Sequence, residues 1–312
     1  MLDSDVCSVF WMEEEVGRVS WRGRSVIEED CFRCAYATHG YHDSVLRAHQ
    51  SRTAQNSATY LLPSLRPDMT ILDVGCGPGT ITADFATLVY QGHVVALDIT
   101  EDVVEHARTH AEQRGFDNIT FKVGSVLELP FQDDTFDVVH AHQVIQHLSD
   151  PINALREMRR VTKDGGIVAV RSSDVSATAW FPDVEGLNQS QGLYMTEARS
   201  LGVEPNAGRQ LHSWAKNAGF RTDQLSLSTS TTLYSTVEEV AWWSGLWAER
   251  VLKSSFAETT IQGGFASWRD LTRISDAWRT WGEHEDAWYA ILHGEMLCHV
   301  RKVTEIFVPT GC

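Results

Sequence analysis

Apolar and polar positions follow two rhythms along this chain. Thr70–Val74, Val94–Leu97, Ile119–Val123, Phe136–His140 and Ile167–Val170 are short, mostly apolar runs of strand length. Between them lie stretches with helical spacing. Thr80–Tyr90 is the first. The second follows Thr100, a candidate N-cap, with Glu101 and Asp102 in the first turn, a buried stripe of Val104, Ala107 and Ala111, and Gly115 as its stop. Asp150-Pro151 opens a third helix, with Ile152, Leu155 and Met158 on its apolar face and Gly165-Gly166 at its end. Residues 43–62 also have helical spacing, ending before Pro63. Regular strand–helix alternation with short apolar strands predicts an α/β fold with a doubly wound, mostly parallel sheet.

After the fifth strand the rhythm breaks. Residues 174–206 read as an irregular or helical insertion, Arg209–Ala218 as a helix stopped by Gly219, and Phe220–Thr231 as a strand. Residues 236–288 are helical and hold seven of the chain's eleven tryptophans. Core packing of an added helical layer is the plain explanation, and it is compatible with aromatic walls around a flat organic ligand. Trp288–Val303 is the last strand candidate. The expected organisation is an N-terminal arm or lid over 1–40, a core over 41–235, a helical cap over 236–287, and the last strand and C-terminus over 288–312.

Composition narrows the partners. With 26 Lys and Arg against 42 Asp and Glu, the net charge is −16, which repels phosphate backbones and argues against nucleic acid. No run of 18 apolar residues suggests a membrane span, and the acidic start lacks a signal-peptide pattern, so a cytoplasmic location is expected. Of the six cysteines only Cys31-x-x-Cys34 is closely spaced. With no second pair to complete a zinc site, they read as two reduced thiols, and no metal is expected. The arm or the helical cap offers a surface for a homodimer.

The candidate chemistry begins where the first strand runs into Gly75-x-Gly77-x-Gly79. Such a turn lets a ligand approach the backbone at the C-terminal edge of the sheet. Asp98, 23 residues after Gly75, closes the second strand, where a carboxylate can accept both hydroxyls of a ribose. Together these predict an adenosine-containing cofactor. A nicotinamide dinucleotide is the competing ligand, but its fingerprint is G-x-G-x-x-G. Here Pro78 also removes a backbone donor from the place where a pyrophosphate needs one.

Four ordered segments carry a resemblance. They are ILDVGCGPGT from Ile71, ALDIT from Ala96, VGSVLELPFQDDTFDVVHAHQVIQHLSDP from Val123 and EMRRVTKDGGIVAV from Glu157, with weaker similarity over Tyr41–Pro63. Over Ile71–Arg171 the chain resembles the class I S-adenosylmethionine-dependent methyltransferases, especially the small-molecule branch of the ubiquinone and menaquinone biosynthesis C-methyltransferases. The resemblance implies a Rossmann-like, seven-stranded sheet and S-adenosyl-L-methionine as cofactor. It implies that Asp73, Gly75, Cys76, Gly77 and Gly79 shape the loop under the methionine end. Asp98 would hold the ribose, and Ile99 would pack on the adenine. The family often has Asp where Ser125 stands, so the adenine amino contact falls to Ser125 or to the Val126 backbone. Tyr41, His49 and Arg52 lie in a segment that folds over the cofactor. Arg52 either pairs with the methionine carboxylate or is a solvated surface guanidinium.

Methyl transfer is an in-line displacement, which needs a base only if the acceptor holds a proton of high pKa. His140-Ala-His142-Gln-Val-Ile-Gln-His147 emerges after strand four, at the same sheet edge as the glycine turn. His142 is expected nearest the transferred methyl and His147 second, with Gln143 orienting the acceptor. Against that reading, His147 opens a helix and so caps or packs, and His140 points into the sheet. The expected enzyme methylates a small hydrophobic or aromatic metabolite on O, N or C. The rival is a protein that binds the cofactor without methylating, as a regulator or scaffold.

Overall fold

The computed structural model describes residues 42–302. Tyr41, the 1–40 arm and the Cys31/Cys34 pair therefore lie outside the described residues. The chain begins with α1 (Asp43–Gln50) and the single turn α2 (Ala54–Ser57), then enters β1 (Thr70–Val74), α3 (Thr80–Leu88), β2 (His93–Asp98), α4 (Glu101–Gln113) and β3 (Ile119–Val123). β4 (Phe136–His142), α5 (Pro151–Val161), β5 (Thr162–Ser173), β6 (Ala179–Phe181), α6 (Glu185–Ser200), α7 (Ala207–Asn217) and β7 (Leu225–Tyr234) follow. The last elements are α8 (Val237–Lys253), α9 (Ser255–Gln262), α10 (Trp268–Gly282) and β8 (Trp288–His299).

The first five strands lie in the order β3-β2-β1-β4-β5, all parallel, and β8 then pairs antiparallel with β5. β7 runs along β8 from Tyr289 to Cys298, while short β6 pairs with Trp288–Ala290. The two apolar faces of the sheet bury separate clusters. Ile71, Val94 and Val138 meet Phe85 of α3 on one side; Leu72, Val139 and Val168 meet Leu155 and Met158 of α5 on the other. Strands covered on both faces must be apolar almost throughout, which is why their signal was so plain in the sequence.

Several boundaries differ from the sequence expectation: the strand expected over Phe220–Thr231 runs Leu225–Tyr234, and three other differences have local causes. The single helix over 43–62 is broken, because Thr53 caps α2 by accepting the Asn56 N–H and Leu62–Ser64 is a separate 3-10 turn around Pro63. The third helix ends at Val161 and not at Gly165-Gly166. Thr162 starts β5, and Gly165, at φ +79°, donates its N–H to the Val300 carbonyl across the strand pair. His147 does not open a helix; it closes the 3-10 turn Ile145–His147, and α5 starts at Pro151 under an Asp150 cap.

Helices α6, α8, α9 and α10 form a second apolar layer over the C-terminal end of the sheet. Capping boxes begin α8 (Thr236 with Glu239) and α10 (Ser267 with Asp270). Trp278 and Trp281 are fully buried between them, and their indole N–H groups donate to Ser190 Oγ at 3.0 Å and to the Phe181 carbonyl at 3.1 Å. Each large ring thus fills core volume with its polar atom satisfied. Among the described residues, no helix is long and apolar enough to cross a membrane.

Candidate active site

A cavity of about 1510 Å³ opens at the C-terminal ends of β1, β2 and β4 and continues under the helical layer. Pockets for one drug-sized ligand measure about 300–1,000 Å³, so this one has room for two molecules side by side. Its sheet end is lined by Gly75, Gly77, Asp98, Ile99, Ser125 and Val126, and its far end by Tyr194, Trp242, Trp243, Trp247, Arg250 and Tyr289.

At the sheet end the glycines are required by the backbone. Gly75, Gly77 and Gly79 adopt φ values of +65°, +53° and +78°. A Cβ on Gly75 would lie 2.4 Å from Val144 Cγ2, whereas one on Gly77 would meet only open space. The turn's own donors are all occupied. Gly75 and Cys76 donate to the Leu97 carbonyl, Gly79 to the Cys76 carbonyl, and Gly77 to Asp98 Oδ2 at 3.1 Å. With Pro78 lacking an N–H, these residues offer a pyrophosphate no backbone donor, which removes the dinucleotide alternative.

Asp98 also accepts the Thr100 N–H on Oδ1, at 3.2 Å. Burial raises its carboxyl pKa above the usual range, and the two backbone donors oppose that shift. Each oxygen keeps lone pairs for further donors, so the group is oriented and still able to accept ribose hydroxyls. Asp73, in contrast, is consumed by scaffolding: it accepts from Thr82 Oγ1 at 2.5 Å and contacts His140 Nδ1 at 2.8 Å. His140 is fully buried and packs edge-on against Phe85. Ser125 Oγ accepts the Leu127 N–H, so its hydroxyl serves the loop first. Cys76 is buried, with its thiol pKa raised by that burial.

His142, Gln143, His147 and Arg52 all line the cavity, so the structure brings the predicted catalytic group together with the glycine turn. His142 is only 8% exposed, and its Nδ1 has no hydrogen-bond partner. Burial, with the Arg52 and Arg171 guanidiniums, holds its imidazole pKa well below the usual range. His147 is lowered to about 4, by burial and then by Arg52. Both rings are neutral at pH 7 and able to accept a proton, though they are weak bases. Gln143 is held by the protein's own bonds: at φ +57°, it accepts the Ser173 N–H at 3.2 Å and contacts His293 Nδ1 at 3.0 Å, which leaves one amide N–H and one carbonyl lone pair.

That amide belongs to a buried polar network the sequence reading missed. Arg171, 2% exposed, donates to Glu295 Oε1 at 3.2 Å and to Ser230; Ser228 and Ser230 also donate to Glu295; Thr232 contacts His293 Nε2 at 2.9 Å. The available signal was positional. His293 and Glu295 alternate inside a mostly apolar strand, and Arg171 directly follows the apolar run Ile167–Val170. Among the described residues, no cluster of His, Cys, Asp and Glu could hold a metal ion.

The residues present fit S-adenosylmethionine. The turn leaves open space beside Gly77, the Asp98 carboxylate is oriented, and no backbone donor is reserved for phosphate. Comparison with known proteins agrees. Residues 65–226 match the family model described as a methyltransferase domain. An uncharacterised methyltransferase of Schizosaccharomyces pombe is 32% identical over 271 residues, covering 84% of this chain and 95% of that one. The ubiquinone/menaquinone biosynthesis C-methyltransferase UbiE of Vibrio parahaemolyticus is 39% identical over 107 residues, but over only 34% of this chain and 41% of its own. The crystal structure of YcgJ from Bacillus subtilis shares the fold, with a TM-score of 0.51 at 19% identity, over 80% of this chain and all of that one. A matching domain over half the chain, a relative alike along nearly its whole length and a Rossmann-like sheet with this glycine turn place the chain in the family of S-adenosylmethionine-dependent methyltransferases.

Proposed function

We propose that the protein transfers a methyl group to a small hydrophobic or aromatic metabolite. The observation that carries this reading is the continuity of one cavity from the glycine turn and Asp98 to the aromatic rings of α8 and α10. Bound at the turn, S-adenosylmethionine supplies an electrophilic sulfonium methyl.

The protein's own part is placement and exclusion of water. Asp98 fixes the ribose, Ile99 and Val126 flank the adenine, and Arg52 pairs with the amino-acid carboxylate. Arg52 is suited to that pairing because, among the described residues, it bonds no acid; burial lowers its own pKa to about 10. The layer formed by α8–α10 and α6 closes over the acceptor. His142, which lines the cavity, takes a proton from an acceptor that must lose one. A low imidazole pKa suits acceptors that are already acidic, since a weak base removes only weakly held protons.

The test has two stages. Titration calorimetry with S-adenosylhomocysteine should give saturable binding. A labelled-methyl assay over matched phenols, carboxylic acids, quinones, amines and thiols should then show transfer to an aromatic member. Binding without transfer to any compound or cell-extract component would sink the enzymatic reading of the acceptor lobe.

A further inference from the structure

The far end of the cavity carries more hydrogen-bond donors than its own acceptors satisfy. Arg250 lies in the second half of α8, lines the cavity and is only 5% exposed. Its Nη2 donates to the Ser44 carbonyl at 3.2 Å, and its guanidinium lies 4.8 Å from the Trp247 ring centroid. Its Nε is buried with no partner, and among the described residues no carboxylate pairs with it. The Trp243 and Trp247 indole N–H groups, on rings lining the same lobe, are also buried and without a partner among the described residues. A buried unpaired cation costs far more than a buried apolar group.

The pairing of the cavity's arginines points the same way. Arg52, Arg171 and Arg250 all line it, and Glu295 is the single carboxylate that any of them bonds among the described residues. Glu239, at the rim, is committed to the backbone N–H groups of Ser235 and Thr236. The methionine end of the cofactor brings one carboxylate but also an ammonium and a sulfonium, so it adds net positive charge. The lining also holds Asp73, Asp98, Asp102 and Glu238, so the demand for an anion is local to Arg250 and does not come from the net charge of the cavity.

We propose that the acceptor is a flat aromatic molecule bearing one anionic oxygen group, a carboxylate or an ionised phenol, and that Arg250 is the residue that binds it. The rings of Trp242, Trp243 and Trp247 pack on the aromatic body, and Trp278 supports Trp247 from behind by stacking on it at 5.5 Å. The guanidinium gives the anion a charge-assisted hydrogen bond that a neutral analogue does not match. This rests on the acceptor-lobe reading given under Proposed function and adds the charge of the ligand to it.

The experiment uses the full chain saturated with S-adenosylhomocysteine. Its probes are 2-naphthoate and its neutral isostere 2-naphthamide, followed by tryptophan fluorescence and calorimetry. The wild-type protein should bind the acid at least about tenfold tighter than the amide, the scale of a charge-assisted pair. Arg250→Gln should abolish the preference while leaving amide and S-adenosylhomocysteine affinities within about threefold, and Arg250→Lys should retain part of it. Equal binding of acid and amide to the wild-type protein would overturn the proposal while leaving the acceptor lobe intact. So would an Arg250→Gln loss that falls on S-adenosylhomocysteine, because the guanidinium would then serve the cofactor. If S-adenosylhomocysteine binds and neither probe does, the acceptor-lobe reading fails together with this one. Should Arg250→Gln not fold, the wild-type ratio and Arg250→Lys decide.

Discussion

Asp98 Oδ2 holds the backbone N–H of Gly77 at 3.1 Å, so the end of β2 fixes the middle of the turn that follows β1. The two features that first pointed to an adenosine ligand are one physical unit. Replacing Asp98 by Ala removes the ribose acceptor and releases the turn together. We expect S-adenosylhomocysteine affinity to fall by about 10–100-fold, the scale of one or two hydrogen bonds to a charged group. Calorimetry at pH 7.5 checks this; a change under threefold would detach Asp98 from the cofactor.

Gly75→Ala and Gly77→Ala should separate steric crowding from backbone strain. Both sit at positive φ, which costs a non-glycine residue about 1–2 kcal/mol. Only Gly75→Ala also drives a methyl into Val144, adding about 1–3 kcal/mol of overpacking. Urea melts should therefore rank Gly75→Ala as the less stable variant. Gly77→Ala should fold and yet lose cofactor affinity, because its methyl occupies open cavity space. Equal melts would show that Val144 yields freely.

His142→Ala should reduce turnover by about 100-fold while leaving S-adenosylhomocysteine affinity within threefold. Because the imidazole pKa is held well below the usual range, it remains a proton acceptor through pH 6.5. The wild-type rate should then show no break near pH 6.5 from this group. Near-normal turnover of the variant would end its assignment as base.

Glu197 makes a separate prediction about stability. It is fully buried on α6, neither oxygen has a partner among the described residues, and burial pushes its pKa to about 8 from a usual 4.5. The folded pKa is raised, so its contribution is complete below about pH 4.5 and is lost as pH rises through about 8. Glu197→Gln removes that alkaline penalty. The variant should gain about 3 kcal/mol at pH 8 relative to its difference at pH 5. Thermal melts at the two pH values measure it, and an identical difference at both would show that Glu197 is not buried as a neutral acid.

What the sequence disclosed depended on how local the cause was. β1 was legible to the residue because a strand covered on both faces writes its burial as a continuous apolar run, whereas β3, an edge strand with only Phe121 buried, was legible from its β-branched residues. The glycine turn and Asp98 were legible because backbone geometry restricts which residues can stand there. The helix over 43–62 was misread because periodicity does not report the Thr53 cap that breaks it. The Arg171–Glu295 pair was illegible for a different reason. Its partners are 124 positions apart, and only the pairing of β5 with β8 brings them together. Gln143 was assigned to the acceptor because its position near the site was readable, while its bonds to Ser173 and His293 were not.

The place of β8 has a consequence for how the molecule is made. The strand that covers the edge of β5 is the last described element of the chain, and the aromatic helices are synthesised before it. Until it emerges, β5 presents an open apolar edge and the floor of the acceptor lobe is missing Tyr289, His293 and Glu295. Long-range pairings of this kind form late, because the loop between the strands must be ordered first. A nascent chain therefore acquires its cofactor turn well before it has a finished acceptor lobe. Pulsed hydrogen exchange during refolding should find β1–β4 amides protected before those of β5 that face β8, and simultaneous protection would show that the sheet closes in one step.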